Sequence, residues 1–149
     1  MTRRFGNSPL PGQDYVARPG VYAILPGRGG LLLTHQSHPT PEFQLPGGGI
    51  DPGESPVQAL HREVREETGW LIARPRRLGA FRRFVYMPEY DIWAEKICSI
   101  YAALPVRSLE HPSEPHHVAC FMDPQDAAIA LANTGDRHFV HRFFGLHPS

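Results

Sequence analysis

The sequence has little cysteine and no long apolar run. Only Cys98 and Cys120 carry thiols, and they lie far apart in apolar stretches. We therefore expect reduced core thiols, not a disulfide or a metal pair. No segment approaches the length of a membrane span, and residues 1–14 lack the apolar stretch of a signal peptide. These absences predict a cytoplasmic protein that has no membrane partner.

The sequence also has no excess charge of either sign, since 15 basic residues balance 15 acidic ones. This balance gives no indication of a nucleic-acid duplex or an anionic membrane as partner. The basic residues are arginines with the exception of Lys96, and arginine is suited to bidentate phosphate contacts. At 149 residues the chain can form one domain that buries about 68–70% of its unfolded surface.

Several catalytic signatures are missing. There is no Gly-x-Ser-x-Gly elbow and no Walker-type GK[ST], so esterase and P-loop chemistry have no support. The pairs His35/His38 and His116/His117 lack the cysteine or third histidine that would complete a zinc site. We interpret these histidines as loop residues.

A dense group of carboxylates follows a run of glycines. Residues 48–70 read GGIDPGESPVQALHREVREETGW, which predicts a glycine turn followed by a helix. Ser55 is suited to be the N-cap, Pro56 to the first helical position, and Gln58 completes a capping box. Gly69 is suited to end the helix in a left-handed conformation.

The acids of this helix fall on one side. At about 100° per residue, Glu63, Glu66 and Glu67 form a stripe beside a separate apolar stripe. Like charges at this spacing repel by about 0.2–0.5 kcal/mol per pair, and a hard divalent cation relieves the repulsion because it binds oxygen ligands. Arg62 can pair with the acids or orient them. A solvated, charge-rich surface helix is the alternative interpretation.

The segment resembles the Nudix box, whose pattern is G-x5-E-x7-R-E-U-x-E-E-x-G-U with U a bulky apolar residue. The fixed positions are filled by Gly48, Glu54, Arg62, Glu63, Val64, Glu66, Glu67, Gly69 and Trp70, although an aliphatic residue is commoner than tryptophan at the last position. The resemblance implies an α/β (α+β) fold, a Nudix-type α/β/α sandwich with a mixed central sheet. We expect residues 15–149 to form a single Nudix domain after a flexible segment, residues 1–14.

The resemblance also implies a reaction, the hydrolysis of a nucleoside diphosphate linked to another moiety X with Mg²⁺ or Mn²⁺. The expected metal ligands are the box acids, the Gly48 carbonyl and an outer acid: Gly48, Glu54, Glu63, Glu66, Glu67 and Glu114. Glu110 is the second choice for the outer acid, and a solvated loop acid is an equal alternative for Glu114. Glu63 or Glu67 is the expected general base, with Arg62 in the catalytic set.

Substrate identity has weaker support. Tyr86 stands 16 residues after Trp70. By the resemblance to the family, a tyrosine at this position favours a dinucleoside polyphosphate or nucleoside triphosphate as substrate over ADP-ribose. An aromatic strand residue is, however, more often part of the core. Arg82 and Arg83 are candidate contacts to substrate phosphate, with solvated strand positions as the alternative.

Other functions remain open at this stage. An ADP-ribose or nucleotide-sugar pyrophosphatase and an RNA 5′-pyrophosphohydrolase are alternatives, although no residue specifically supports an RNA 5′ end. A non-catalytic, nucleotide-sensing Nudix-like module is the rival from another class, and the complete acid set favours an enzyme over it. The small-molecule partner is a nucleotide, and the sequence makes no prediction of oligomeric state.

The remaining pattern predicts strands and two further helices. The hydrophobic runs and turn residues place a hairpin over Val21–Leu25 and Gly30–Thr34, strands at Leu71–Leu78, Gly79–Tyr86, Glu95–Leu104 and His117–Met122, and helices from Asp123 to about Leu131 and over 136–145.

Overall fold

The computed structural model describes residues 2–109 and 111–146, so Glu110 lies outside the described residues. In chain order the elements are β1 (Arg3–Arg4), β2 (Val16–Ile24), β3 (Pro26–Gly27), β4 (Gly30–Gln36), β5 (Glu42–Gln44), β6 (Gly47–Gly49), α1 (Pro56–Thr68), β7 (Trp70–Met87), β8 (Ile92–Ser108), β9 (His117–Met122), α2 (Pro124–Ala130) and α3 (Thr134–Phe144).

The strands form two sheets. The first has the order β1-β7-β8-β2-β6 and is mixed, because β2 pairs with β8 in parallel whereas β7 and β8 are antiparallel. The second joins β3, β4 and β5, with β9 antiparallel to β4. The predicted α+β fold with a mixed sheet is therefore confirmed.

The strand β4 explains how the core is divided between the helices. Leu31 and Leu33 pack in a cluster with residues of α2 and α3, whereas Leu32 packs in a second cluster with Ala59, Leu60 and Val64 of α1. Both faces of this strand are buried, and its apolar run is accordingly continuous. The helix α1 thus lies on one side of the strands, with α2 and α3 on the other.

The sequence predicted the connections less well than the elements. Residues 47–49 are not a turn but strand β6, which pairs antiparallel with β2, and the chain reverses later, where Glu54 N donates to Asp51 O at 3.0 Å. The predicted hairpin is formed by β3 and β4, because β2 belongs to the other sheet. The two strands predicted over 71–86 are one strand, β7, interrupted by bulges.

The helix caps follow the sequence signals. Ser55 accepts a hydrogen bond from Gln58 N, the Gln58 side chain bonds back to Ser55 N, and Gly69 ends α1 with φ 75°. Asp123 caps α2. The helix α3 begins two residues earlier than predicted, because Asn133 caps it by accepting from Gly135 N and Asp136 N.

Part of the segment expected to be flexible is paired with the first sheet. Arg3 and Arg4 lie parallel to β7, Phe5 N donates to Arg82 O at 2.9 Å, and the Phe5 ring packs against the core. Cys98 and Cys120 are free thiols. Among the described residues, every helix is too short or too polar to cross a membrane.

Candidate active site

The helix α1 carries the acids of the site along the edge of a cleft. Leu60 and Val64 are completely buried against the strands and fix the rotation of the helix. Glu67, on the adjoining side, is only 8% exposed, although it carries a carboxylate. Buried acids of this kind need hydrogen bonds or cations to offset their lost hydration.

One guanidinium lies at the centre of the acid cluster. Arg62 donates from Nε to Glu54 Oε2 at 2.7 Å and from Nη2 to Glu54 Oε1 at 2.9 Å. Its Nη1 contacts Glu63 Oε1 at 2.8 Å and Glu66 Oε2 at 3.2 Å. Nη2 also donates to Gly49 O at 3.0 Å. Arg62 therefore joins the loop before α1, the strand β6 and the helix acids.

Glu54, predicted as a metal ligand, has both oxygens on Arg62. The hydrogen bonds from Arg62 are the main cause that lowers the pKa of Glu54 to about 2, and Asp51 N adds a further donor. The same bonds raise the pKa of Arg62 above its ordinary value. In this arrangement Glu54 orients Arg62 instead of facing the cleft.

Glu67 is the most deeply buried acid of the cluster. Burial raises its pKa well above the ordinary value, Glu63, Glu114 and Glu66 raise it further, and the hydrogen bond from Gly47 N to Glu67 Oε1, at 3.0 Å, opposes the shift. The carboxyl group therefore holds a proton more readily than an exposed glutamate unless a cation is beside it.

Gly48 lies directly against Glu63. A Cβ added at Gly48 would be 2.5 Å from the Glu63 carboxyl carbon, so only glycine lets the backbone of β6 approach this acid. Burial raises the pKa of Glu63, the contact with Arg62 lowers it, and Glu66 and Glu114 raise it. Strand β6 and helix α1 thus place a glycine backbone beside two acids.

The loop before β9 brings a fourth acid to the cluster. Ser113 N and Glu114 N both donate to Glu66 O at 2.9 Å, which satisfies a carbonyl in the last turn of α1. Glu114 is half-buried, lines the cleft and contributes to the raised pKa values of Glu63 and Glu67. The predicted outer acid is therefore placed with the box acids.

His117 adjoins this cluster and was not predicted as a site residue. Its Nδ1 lies 2.9 Å from Thr34 Oγ1 and 3.8 Å from Glu67 Oε2. Burial lowers the pKa of His117, with a contribution from His116, so the contact with Glu67 involves a neutral imidazole near neutral pH. The sequence offered no signal for this contact, since it arises from the pairing of β4 and β9.

The donor set is suited to a hard divalent cation. Glu63 lies against Gly48, Glu67 accepts a hydrogen bond from Gly47 N, and Glu114 interacts electrostatically with both acids. Mg²⁺ and Mn²⁺ prefer oxygen ligands of this kind. Within residues 2–109 and 111–146, no three His, Cys, Asp or Glu side chains are already arranged to hold an ion. Glu63 and Glu66 face Arg62 instead, so binding would require their carboxylates to turn toward the ion.

The acids open onto a cleft of about 1040 Å³. Arg83 and Tyr86, two of the predicted substrate contacts, line it. Arg82 lies outside it, where Nε donates to Thr2 O at 3.2 Å and Nη1 is 3.7 Å from Glu95 Oε2. Other charged residues, which the sequence did not predict as site residues, also line the cleft: Arg18, Glu42, Asp51, Glu89, Lys96 and Asp136.

Tyr86 lies at the mouth of the cleft. Its ring is 42% exposed and lies 5.2 Å from the Trp93 ring, and its hydroxyl donates a hydrogen bond to Asp91. That bond is the main cause of the raised pKa of Tyr86. An exposed aromatic ring at this position is available for contact with a planar group.

Comparison with known proteins identifies the family. A model of the NUDIX domain matches residues 15–143. The chain belongs to the Nudix family. The resemblance of residues 48–70 to the Nudix box therefore extends to nearly the whole chain.

Curated Nudix relatives match shorter stretches. The putative 8-oxo-dGTP diphosphatase of Bacillus subtilis is 32% identical over 74 residues, which cover 50% of this chain and 50% of that protein. The RNA pyrophosphohydrolase of Photorhabdus laumondii is 44% identical over 52 residues, which cover 35% of this chain and 30% of that protein. The chain thus spans about half or less of the length of these relatives.

Solved structures share the fold across the chain. A NUDIX hydrolase from Nitrosomonas europaea has a TM-score of 0.72 and 16% identity, and the match covers 87% of this chain and 90% of that one. A MutT protein from Methanosarcina mazei Go1 has a TM-score of 0.68 and 22% identity over 90% of this chain and 97% of that one. At these identities the likeness shows the Nudix fold alone.

Proposed function

We propose that this protein is a divalent-metal-dependent pyrophosphohydrolase that cleaves a phosphoanhydride bond in a nucleoside 5′-polyphosphate. The observation that carries the proposal is the meeting of Glu63 and Glu67 at the Gly47–Gly48 backbone, with Glu114 interacting with both acids, at the edge of a cleft of about 1040 Å³. A surface helix with solvated charges, the alternative interpretation, would not bury Glu67 to 8% exposure.

The proposed roles follow from the geometry. A bound Mg²⁺ or Mn²⁺ would neutralise charge on the pyrophosphate oxygens and lower the pKa of a bound water. Glu63, Glu67 and Glu114 would hold it, with Glu66 and the Gly48 carbonyl as further oxygen donors. Whichever of Glu63 and Glu67 is not neutralised by the cation would accept the proton of the attacking water.

Arg62 acts through these acids rather than on the substrate. Its guanidinium is fully occupied by five hydrogen bonds, two to Glu54 and one each to Glu63, Glu66 and Gly49. We assign it the role of holding the helix acids in place, and we assign Glu54 the role of orienting Arg62. Glu63 and Glu66 would have to leave part of this pairing to hold a cation.

The substrate class is inferred from two sources. The curated relatives are named for 8-oxo-dGTP and RNA pyrophosphate hydrolysis, and their substrates have a nucleoside 5′-polyphosphate in common. Tyr86 offers an exposed ring at the mouth of the cleft. We therefore place nucleoside triphosphates, dinucleoside tetraphosphates and 5′-triphosphorylated RNA before ADP-ribose.

The test is a panel of these compounds with Mg²⁺, followed by the release of mononucleotide, pyrophosphate and phosphate. Glu67→Gln should lose activity by about 10²–10⁴-fold, the usual contribution of a general acid–base group. Glu95→Gln is the matched control, because Glu95 pairs with Arg82 outside the cleft. Binding without turnover of any compound would contradict the proposal and support a nucleotide-sensing module.

A further inference from the structure

Two cations stand directly opposite each other at the end of the cleft away from the acid cluster. Arg83 on β7 and Lys96 on β8 are Cα partners in the antiparallel ladder, so their side chains lie on the same face of the sheet, with Cβ atoms about 4.5–5.5 Å apart. Both line the cleft and both are half-buried. Like charges at opposed positions destabilise a sheet, so this pair calls for an explanation.

Neighbouring groups do not form ion pairs with these cations. In the described part of the chain, the Nε of Arg83 is shielded from solvent and has no hydrogen-bond partner. Lys96 likewise forms no hydrogen bond or ion pair among the described residues. A buried donor without a partner costs free energy that a ligand's acceptor atoms can restore.

One buried acid faces the two cations. Asp136, at the start of α3, is 4% exposed, lines the same cleft and interacts electrostatically with both Arg83 and Lys96. Glu42, also on the cleft wall, is occupied by the Gln44 amide at 2.7 Å. Arg18, which pairs with Lys96 across the sheet and also lines the cleft, offsets the charge of Glu42, so the buried and half-buried charges here leave an excess of one positive charge. Glu89, an exposed acid on the cleft wall, also interacts electrostatically with Lys96.

The pair is well separated from the acid cluster. Gly48 pairs with Val21 of β2, whereas Lys96 pairs with Arg18 of the same strand. The two positions are therefore about 10 Å apart along β2 and about 9–10 Å apart across the sheet, at 3.3 Å per residue and 4.8 Å per strand. The backbone positions of the cation pair and of Gly48 therefore lie in different parts of the cleft.

We propose that Arg83 and Lys96 form a second anion subsite, which binds a phosphate or carboxylate on the part of the substrate away from the hydrolysed pyrophosphate. The proposal rests on the proposed function and narrows its substrate class to nucleotides with a second, separate anionic group. The planar fork of Arg83 suits bidentate contact to such a group, and Lys96 adds a point charge.

Matched substrate pairs test the subsite. The pairs are GTP and its 3′-phosphorylated derivative, NAD and NADP, and UDP-glucose and UDP-glucuronate, so that phosphate and carboxylate sources are distinguished. In at least one pair we expect the more charged member to have the higher kcat/KM, by about 10- to 100-fold. This is the ratio that corresponds to the free energy of a hydrogen bond to a charged group. Arg83→Met and Lys96→Met should each abolish this preference.

Arg82→Met is the control for these variants. Arg82 precedes Arg83 in β7 but lies outside the cleft with Glu95, so its replacement should leave the preference unchanged. Equal kcat/KM values within all three wild-type pairs would overturn the proposal, as would a preference that survives in both Arg83→Met and Lys96→Met.

A binding measurement without turnover separates this proposal from the proposed function. In metal-free protein, millimolar inorganic phosphate should raise the melting temperature of wild type and of Arg82→Met, but not of Arg83→Met, because only binding to the folded state stabilises it. If phosphate binds in this way but no compound is hydrolysed, the proposed hydrolase activity is contradicted and the anion subsite is not. An equal phosphate shift in Arg83→Met would overturn the subsite, whatever the activity.

The variants also reveal whether the cation pair is merely structural. Removing one of two opposed like charges should leave the melting temperature unchanged or raise it, because residues kept for binding often cost stability. A marked fall in the melting temperature of both Arg83→Met and Lys96→Met, without loss of phosphate binding, would show a structural role and refute the subsite.

Discussion

Arg62 holds Glu54 through two parallel hydrogen bonds, from Nε to Oε2 at 2.7 Å and from Nη2 to Oε1 at 2.9 Å. The same guanidinium contacts Glu63 and Glu66 on its own helix. The spacing between Glu54 and Arg62 in the Nudix box is thus explained by a geometric need. The chain must turn after β6 and complete nearly two helical turns before the two groups meet.

Replacing Arg62 tests this arrangement. Lysine keeps the charge but cannot donate in parallel to both oxygens of Glu54 while also contacting Glu63. We expect Arg62→Lys to lower kcat/KM or apparent Mg²⁺ affinity by about 10- to 100-fold, the usual range for groups that orient metal ligands. Magnesium titration of initial rates measures both quantities. Arg82→Lys is the control, and equal effects in the two variants would contradict the role of Arg62.

Gly48 and Gly49 form a natural pair for a second test. A Cβ at Gly48 would lie 2.5 Å from the Glu63 carboxyl group, whereas a Cβ at Gly49 has no neighbour within 4 Å. Gly48→Ala should therefore displace Glu63 and lower activity by roughly 10²-fold, the loss associated with small misplacements of catalytic groups. Gly49→Ala should remain active. Comparable kcat values for the two variants would show that close approach at Gly48 is unimportant.

The raised pKa of Glu67 predicts how stability depends on pH. In metal-free protein the folded state binds a proton more tightly than the unfolded state, whose carboxyl has a pKa near 4.5. Stability should therefore fall as pH rises above that value and through the raised pKa. Glu67→Gln should lessen this fall, and Mg²⁺ should oppose it in wild type.

Thermal melts of metal-free wild type and Glu67→Gln across pH 4–8 check this expectation. Glu95→Gln serves as the control and should follow wild type, because Glu95 pairs with Arg82 outside the cleft. Parallel profiles for wild type and Glu67→Gln would mean that the Glu67 carboxyl is as well solvated in the folded state as in the unfolded chain.

Local signals in the sequence were sufficient for much of α1. The capping box at Ser55 and Gln58, the left-handed Gly69 and the single stripe of acids all depend on residues within one or two helical turns. The general fold and the family followed from the same segment. Element types were mostly right because hydrophobic periodicity reports local burial.

Features that depend on distant pairing could not be predicted in this way. Gly47–Gly49 form a strand because their backbone pairs with β2. Local turn propensities carry no information about this pairing. The contact of His117 with Glu67 and the opposition of Arg83 and Lys96 depend on strand register. Arg82 and Arg83 are neighbours in a strand, so their side chains lie on opposite faces of the sheet. Only the packing of the whole chain determines that the face of Arg83 adjoins the cleft.

The last prediction concerns Glu114. The sequence supported two interpretations of this residue equally, an outer metal ligand and a solvated loop acid. Its backbone is fixed by Glu66 O, and its charge raises the pKa values of Glu63 and Glu67. If Glu114 helps to hold the cation, Glu114→Gln should weaken apparent Mg²⁺ affinity by about 10- to 100-fold. Asp126→Asn, an exposed acid on α2, controls for loss of surface charge. An unchanged Mg²⁺ dependence in Glu114→Gln would show that Glu114 is a solvated loop acid, and that the acids of α1 bind the cation without it.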